Sequence, residues 1–244
     1  MTSSFARLSR PLLALVLACA LTPASAETID DKIEFDVVLK GIPAGRLAIN
    51  GSRNETHYSA AGVLETTGLA AMLRKVRYTA RVNGAISNGF VPAQYTETAD
   101  TPSRNTVFNM TYANGTPVKV KRTPPRPPKA RDVAPATQGG TLDPLSALYL
   151  VLRDVDAGAA CNFSTFMFDG ARRTRVSIGP PEPDGEGVTC AGEYQRLDGF
   201  SKKDIAKKRR MAFTLTYRPT KDGRLQVTRV ATDTIYGQGR LERR

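Results

Sequence analysis

The segment Ile33-Glu34-Phe35-Asp36-Val37-Val38-Leu39, running straight into Lys40-Gly41-Ile42-Pro43-Ala44-Gly45, decides the fold class. Ile33, Phe35, Val37 and Leu39 alternate with Glu34, Asp36 and Val38. Successive side chains of a strand point to opposite faces, so this spacing predicts one apolar and one watery face. A helix would repeat its apolar residues every three or four positions instead. Gly41 and Gly45 flank a turn in which glycine either takes a positive φ or lets another backbone pass closely. Leu47 and Ile49 then alternate with Arg46 and Ala48 in a second strand, which Asn50-Gly51 is expected to break.

The same period of two recurs outward from this hairpin. Strands are expected over His57 to Glu65, Val76 to Asn83, Gln94 to Thr98, Thr106 to Tyr112 and Val118 to Arg122. Further on, Thr165 to Phe168 and Arg172 to Ile178 flank Asp169-Gly170, a hairpin signal. Pro180 to Gly185 reads as a loop, followed by strands at Val188 to Arg196 and Met211 to Tyr217. After the turn residues Lys221-Asp222-Gly223, Arg224 to Thr234 is the expected final strand. Short strands separated by turns predict a mainly β protein. Its sheet is antiparallel and curved, an open or closed barrel-like meander with one or two short helices packed on it.

Two segments carry the helical signal. Thr67 to Arg74 holds enough helix formers for about two turns. Asp143 can cap a helix whose first residue is Pro144, because proline's missing N–H would be unpaired there anyway. Leu145, Leu148, Tyr149 and Leu152 then share one face of Pro144 to Asp154, which should lie against the sheet. Residues 123–140 contain Pro124, Pro125, Pro127, Pro128 and Pro135 and are expected as an extended, solvated loop joining two halves of one sheet.

The amino terminus has the composition of an export signal. Arg7 and Arg10 precede an apolar stretch from Pro11 to Leu21 and the small residues Ala24-Ser25-Ala26, so cleavage is expected after Ala26. Cys19 faintly suggests a lipoprotein signal, but Ala20 and Leu21 continue the apolar run past it. An exported, periplasmic chain of residues 27–244, folded as one β-rich domain, is the resulting expectation. The 244-residue chain carries 35 Lys and Arg against 23 Asp and Glu, a net +12. Removing residues 1–26 takes two arginines and no acid, leaving +10. The stretch is too short for a spanning helix, and no other apolar run is longer, so an integral helical membrane protein is excluded. Cys161 and Cys190 would share an oxidising compartment and are expected to form a structural disulfide.

Chemistry-bearing motifs are sparse. His57 is the one imidazole and sits beside Tyr58 on an alternating strand, with no G-x-S-x-G elbow elsewhere. Glu34 and Asp36 share the wet face of one strand, where solvated charge is ordinary. One His and scattered Cys supply no zinc set, and there is no glycine-rich phosphate loop. The expectation is therefore no catalytic residue, no metal and no cofactor.

Basic residues cluster three times: Lys119, Lys121, Arg122, Arg126, Lys129 and Arg131; then Arg172, Arg173 and Arg175; then Lys202, Lys203, Lys207, Lys208, Arg209 and Arg210. Such clusters attract anionic surfaces over about 8–10 Å at ordinary salt, although runs of Lys and Arg are also what a solvated face looks like. They lack the interleaved aromatics on which nucleic-acid bases stack, so nucleic acid is not expected as a partner. The last cluster is the expected contact for an anionic envelope surface.

The segments Lys40-Gly41-Ile42-Pro43-Ala44-Gly45, Gly89-Phe90-Val91-Pro92-Ala93-Gln94-Tyr95, Asp143-Pro144-Leu145-Ser146, Phe168-Asp169-Gly170 and Cys190-Ala191-Gly192 follow one another in an order that resembles the exported bacterial proteins grouped as domain of unknown function 3108. The resemblance runs from about Ile33 to Thr234 and implies a β-rich exported domain with no assigned activity. More distantly, a curved sheet interrupted by helices is similar in fold to the unclosed barrels of periplasmic lipoprotein carriers, from which no residue transfers. Two functions follow as expectations. One is a non-enzymatic domain whose apolar concavity binds a lipid or other amphiphile. The other is an envelope adaptor that binds a protein or anionic surface through Lys202 to Arg210.

Overall fold

The computed structural model describes residues 27–234 and 237–244; the expected signal segment, residues 1–26 with Cys19, lies outside the described residues. Among the described residues, thirteen strands form one antiparallel sheet. They are β1 (Ile29–Leu39), β2 (Ile42–Arg53), β3 (His57–Thr66), β4 (Arg77–Ile86), β5 (Phe90–Thr101), β6 (Arg104–Ala113), β7 (Thr116–Thr123), β8 (Phe163–Phe168), β9 (Arg173–Asp184), β10 (Gly187–Asp198), β11 (Arg210–Pro219), β12 (Leu225–Thr234) and β13 (Gly237–Arg243). Three short helices interrupt them: α1 (Gly68–Leu73), α2 (Pro144–Leu152) and α3 (Lys202–Lys207). The spatial order is β7-β6-β5-β4-β3-β2-β1-β13-β12-β11-β10-β9-β8. Successive strands thus pair throughout, except β7 with β8, and β13 returns to pair with β1 and welds the two halves together.

The sheet curls without closing. Gly170, between β8 and β9, lies against Phe108 of β6 and Val120 of β7; a methyl group at Gly170 would stand 2.2 Å from the Phe108 ring. The two ends of the sheet therefore meet by packing, while β7 and β8 remain unpaired to each other. The Pro-rich connection bridges them. It is solvated as expected over residues 123–131; nearer its end Gln138 is buried, and Val133 N–H donates to Ala171 O at 2.9 Å. Leu142 forms a parallel bridge to Met167, adding a short surrogate strand beside β8.

The inward face is built by the alternation. Ile33 and Phe35 are fully buried, and Lys32 and Glu34 are not. A bulge between Val37 and Val38 then shifts the phase, so Val38 is buried and Leu39 is exposed, the reverse of simple period two. The hairpin turn is tighter than expected. Lys40 (φ 51°) and Gly41 (φ 80°) alone make it, the paired positive φ values of a two-residue turn whose twist matches the strands. Gly45 is already in β2, where a Cβ would stand 2.3 Å from Glu65 O, so it serves the close approach of backbones and not the turn.

Several boundaries differ from the sequence reading. Asn50-Gly51 does not break β2; Gly51 faces α2 and leaves the space that the Tyr149 ring fills, 2.2 Å from where a Cβ would be. Pro180 to Asp184 is strand and not loop, paired to β10 beyond the end of β8, where an edge tolerates prolines. The strand ending at Thr234 is not the final one, because β13 follows and pairs on both sides. Helix α2 ends at Leu152, with Arg153 extended. Helix α1 forms as expected but does not pack its apolar side chains on the sheet: Leu69, Met72 and Leu73 are exposed. Helix α3 was not anticipated. It is held by a capping box, with Ser201 Oγ accepting from Asp204 N–H at 3.1 Å and Asp204 Oδ2 accepting from Ser201 N–H at 3.2 Å.

Helix α2 fills the middle of the concavity. Asp143 caps it, accepting from Ser146 N–H at 2.9 Å, and Leu145, Tyr149 and Leu152 are buried. Each such leucine contributes about 1.5–3 kcal/mol on leaving water. Cys161, shortly after α2, is bonded to Cys190 of β10 with a Cα–Cα distance of 5.5 Å, and both residues are buried. In a chain-entropy model, closing a loop of this length stabilises by about 3–4 kcal/mol.

Candidate functional site

The inward face is not uniform from strand to strand. Register places Ile33, Ile49, Gly62, Ala80, Glu97, Phe108 and Arg122 side by side on β1 to β7. Side chains directly opposite one another across antiparallel pairs share a face. The row is apolar over β1 to β4, small at Gly62 and Ala80, and ends on charge at β5 and β7.

Where the row is small, α2 does not reach the sheet completely. A groove of about 510 Å³ remains, walled by Val37, Leu47, Leu64 and Ala80 from the sheet and by Leu145 and Leu148 from α2, with Leu241 of β13 at one side. This volume lies within the roughly 300–1,000 Å³ typical of small-molecule sites. Tyr95, Glu97 and Pro144 border the groove and also a second cleft of about 540 Å³, which lies between β5–β7 and the β8–β9 turn. The Tyr95 hydroxyl donates to Glu97 Oε2 at 2.9 Å, and Arg104 Nη2 donates to Glu97 Oε1 at 3.0 Å. Burial, reinforced by the Glu97 charge, pushes the Tyr95 hydroxyl well above its ordinary range and keeps it a donor. Arg104 also lies over the Tyr78 ring, 5.4 Å from its centre.

The cap of α2 sits at the same junction. Asp143 is wholly buried; its Oδ2 accepts from Ser146 Oγ at 2.6 Å, and Ser146 Oγ lies 2.7 Å from the Tyr58 hydroxyl. Burial raises the Asp143 carboxyl to about 6, with the hydrogen bonds from Ser146 opposing it. At the far end of α2, Tyr149 OH donates to buried Asp31 Oδ2 at 2.6 Å, and Arg53 Nε is 3.4 Å from the same oxygen.

The residues singled out from sequence are distributed as follows. Gly41, Gly45, Asp143 and Pro144 take structural positions, and Pro144 also borders both cavities. Cys161 and Cys190 come together. His57 is exposed at the start of β3, its Nδ1 2.8 Å from Thr56 Oγ1. Of the six basic residues at and after α3, Lys202, Lys203, Lys207, Arg209 and Arg210 are exposed, Arg210 pairing with Glu193 at 3.3 Å, and Lys208 Nζ donates to Asp233 O at 2.7 Å. Arg122, Arg126, Lys129 and Arg131 from the first basic cluster and Arg172 from the second converge on the cleft. Leu148 was read as part of the α2 face turned to the sheet, while the groove residues Leu64 and Ala80 and the cleft residue Arg104 were not singled out. Their signal is the facing of Gly62 and Ala80 across β3 and β4, which is visible once register is known.

Among the described residues, no helix is long and apolar enough to cross a membrane. No curated protein and no solved structure matches the chain. A family model described as a protein of unknown function (DUF3108) matches residues 34–196, the segment that runs from the opening strand through the groove, the cleft and both cysteines. The chain belongs to the family of domain of unknown function 3108.

Proposed function

We propose that this protein is an exported, non-enzymatic domain of the periplasm that holds the apolar portion of an amphiphile between α2 and the inner face of the sheet. The observation that carries the reading is the groove itself. It is an apolar slot of about 510 Å³ between α2 and the sheet, lined by Leu47, Leu64, Ala80, Leu145 and Leu148. A concave pocket lined mainly by apolar side chains with a few polar groups at its border is the usual form of a small-molecule site. Export rests on the composition of residues 1–26, and the excess of basic residues suits an envelope rich in anionic head groups.

The test is to purify the chain from a periplasmic extract without detergent and weigh it intact by native mass spectrometry. A bound lipid-sized mass is expected on the wild type. It should be lost from Ala80→Trp, whose indole would occupy the groove, while that variant keeps the wild-type circular dichroism and melting profile. A wild type that carries no amphiphile and takes none up from offered lipid, or an Ala80→Trp variant that retains it undiminished, overturns the reading.

A further inference from the structure

The cleft that adjoins the groove has an imbalance of charge that the protein does not itself resolve. Six cationic side chains line it, namely Arg104, Arg122, Arg126, Lys129, Arg131 and Arg172, against three carboxylates, Glu97, Asp132 and Asp169. Each carboxylate has an arginine: Glu97 with Arg104 at 3.0 Å, Asp132 with Arg126 at 2.8 Å and Asp169 with Arg172 at 4.0 Å. Arg122, Lys129 and Arg131 are left with no acidic side chain at salt-bridge distance among the described residues. Arg122 is the inward member of the row on β7, half-buried, with Arg104 and Arg126 as like-charged neighbours that act with burial to lower its affinity for its own proton. Arg104 Nε is buried without a hydrogen-bond partner. Cations gathered in a partly desolvated cleft repel one another, and an anion placed among them converts that repulsion into attraction. Guanidinium groups also suit phosphate oxygens, which they can bind through two parallel hydrogen bonds.

The position of the cleft matters as much as its charge. Tyr95, Glu97 and Pro144 form a wall common to the cleft and the groove, so a molecule with its chain against Ala80 and Leu148 would bring its polar end to Arg104 and Arg122. We infer that the cleft is a head-group site for a phosphate-type anion and that the ligand of the neighbouring groove is accordingly an anionic amphiphile. This rests on the groove being an amphiphile site. It also places anion recognition on Arg122 and Arg131, not on the exposed lysines of α3.

Binding of three probes to the full exported chain, below their critical micelle concentrations, tests it. The probes are dodecyl phosphate, the uncharged dodecyl maltoside and inorganic phosphate, followed by calorimetry at low and high salt. Dodecyl phosphate should bind at least about ten-fold more tightly than dodecyl maltoside, as expected for a hydrogen bond to a charged group, and the advantage should shrink with salt. Arg122→Gln should remove most of that ratio. Arg131→Gln, on an exposed loop where folding is not at stake, should reduce it in the same direction. Lys203→Gln on α3 should leave the ratio at its wild-type value. If both dodecyl compounds bind equally and Arg122→Gln changes nothing, the head-group site is refuted while the groove stands. If inorganic phosphate binds as tightly as dodecyl phosphate, the cleft takes a free anion and its link to the groove is refuted. If neither dodecyl compound binds, the amphiphile reading itself falls and this inference with it.

Discussion

Two inward-facing glycines opposite the same helix have different uses. Gly51, on β2, is a socket: the Tyr149 ring occupies the space of its missing side chain, and the phenol reaches on to Asp31 at 2.6 Å. Gly62, on β3, is clearance: only the Leu145 Cδ1 methyl comes close, 2.9 Å from a notional Cβ, and Ala80 opposite it keeps the space beside it open. The end of α2 near Tyr149 is therefore packed and hydrogen-bonded, and the end near Pro144 borders two cavities. A residue type alone does not say which role a small side chain has; its partner on the facing element does. On the proposed reading, packing stability is concentrated at the Tyr149 end of the concavity and binding at the Pro144 end.

Removing the plug should produce the largest loss. Tyr149→Ala deletes a fully buried ring and leaves Asp31 and Arg53 without the phenol between Asp31 and α2. Large-to-small substitution of a buried aromatic costs about 3–5 kcal/mol. Urea unfolding should register that loss. A cost under about 1 kcal/mol would mean that α2 is not packed into the sheet as described, and the contrast between the two ends would collapse.

The cap at the open end adds a pH dependence. Its sign follows from Asp143 holding its proton more tightly when folded, at about 6, than the ordinary carboxyl value of 3.8. The native state binds the extra proton between these values, so the contribution is complete below about pH 4 and is lost as pH rises through 6. Across that interval the loss is on the order of 3 kcal/mol. Asp143→Asn keeps an acceptor for Ser146 N–H but has no proton to lose. The stability difference between wild type and Asp143→Asn should therefore move in favour of the variant from pH 4 to pH 8. A difference that stays flat across that range would show that the carboxyl is not desolvated.

The legibility of these features from sequence follows the range of the interactions behind them. Strand alternation and the Asp143-Pro144 cap depend on neighbours a few residues away, and both were readable; a turn after β1 was readable too, but its confinement to Lys40-Gly41 was not. The pairing of Cys161 with Cys190 was readable as well, because residues 27–244 contain one pair of cysteines. The phase shift at Val37/Val38 was not, since a bulge leaves no mark in the polarity of a stretch as apolar as Val37-Val38-Leu39. Gly51 was mistaken for a strand breaker because its reason, Tyr149, lies far along the chain. Basic density marked three runs, and the fold brings Arg122, Arg126, Lys129 and Arg131 of the first and Arg172 of the second, with Arg104 of β6, around one cleft. That the runs meet there depends on register and curvature, and neither is written in local spacing.

The smallest effects discriminate most finely between the two ends. Gly51→Ala must displace an aromatic ring held by Asp31, an overpacking that costs about 1–3 kcal/mol. Gly62→Ala meets a flexible leucine methyl, and neither glycine has a positive φ to preserve. Alanine there also removes about 0.4–1 kcal/mol of unfolded-chain freedom, which offsets the cost of shifting Leu145. Gly62→Ala should therefore unfold within about 1 kcal/mol of the wild type, yet narrow the groove and weaken dodecyl phosphate, whereas Gly51→Ala should lose stability and leave the groove walls in place. Urea unfolding and calorimetry on the same two proteins give both readouts. If the two substitutions exchanged their effects, the packed end and the open end would have been assigned the wrong way round.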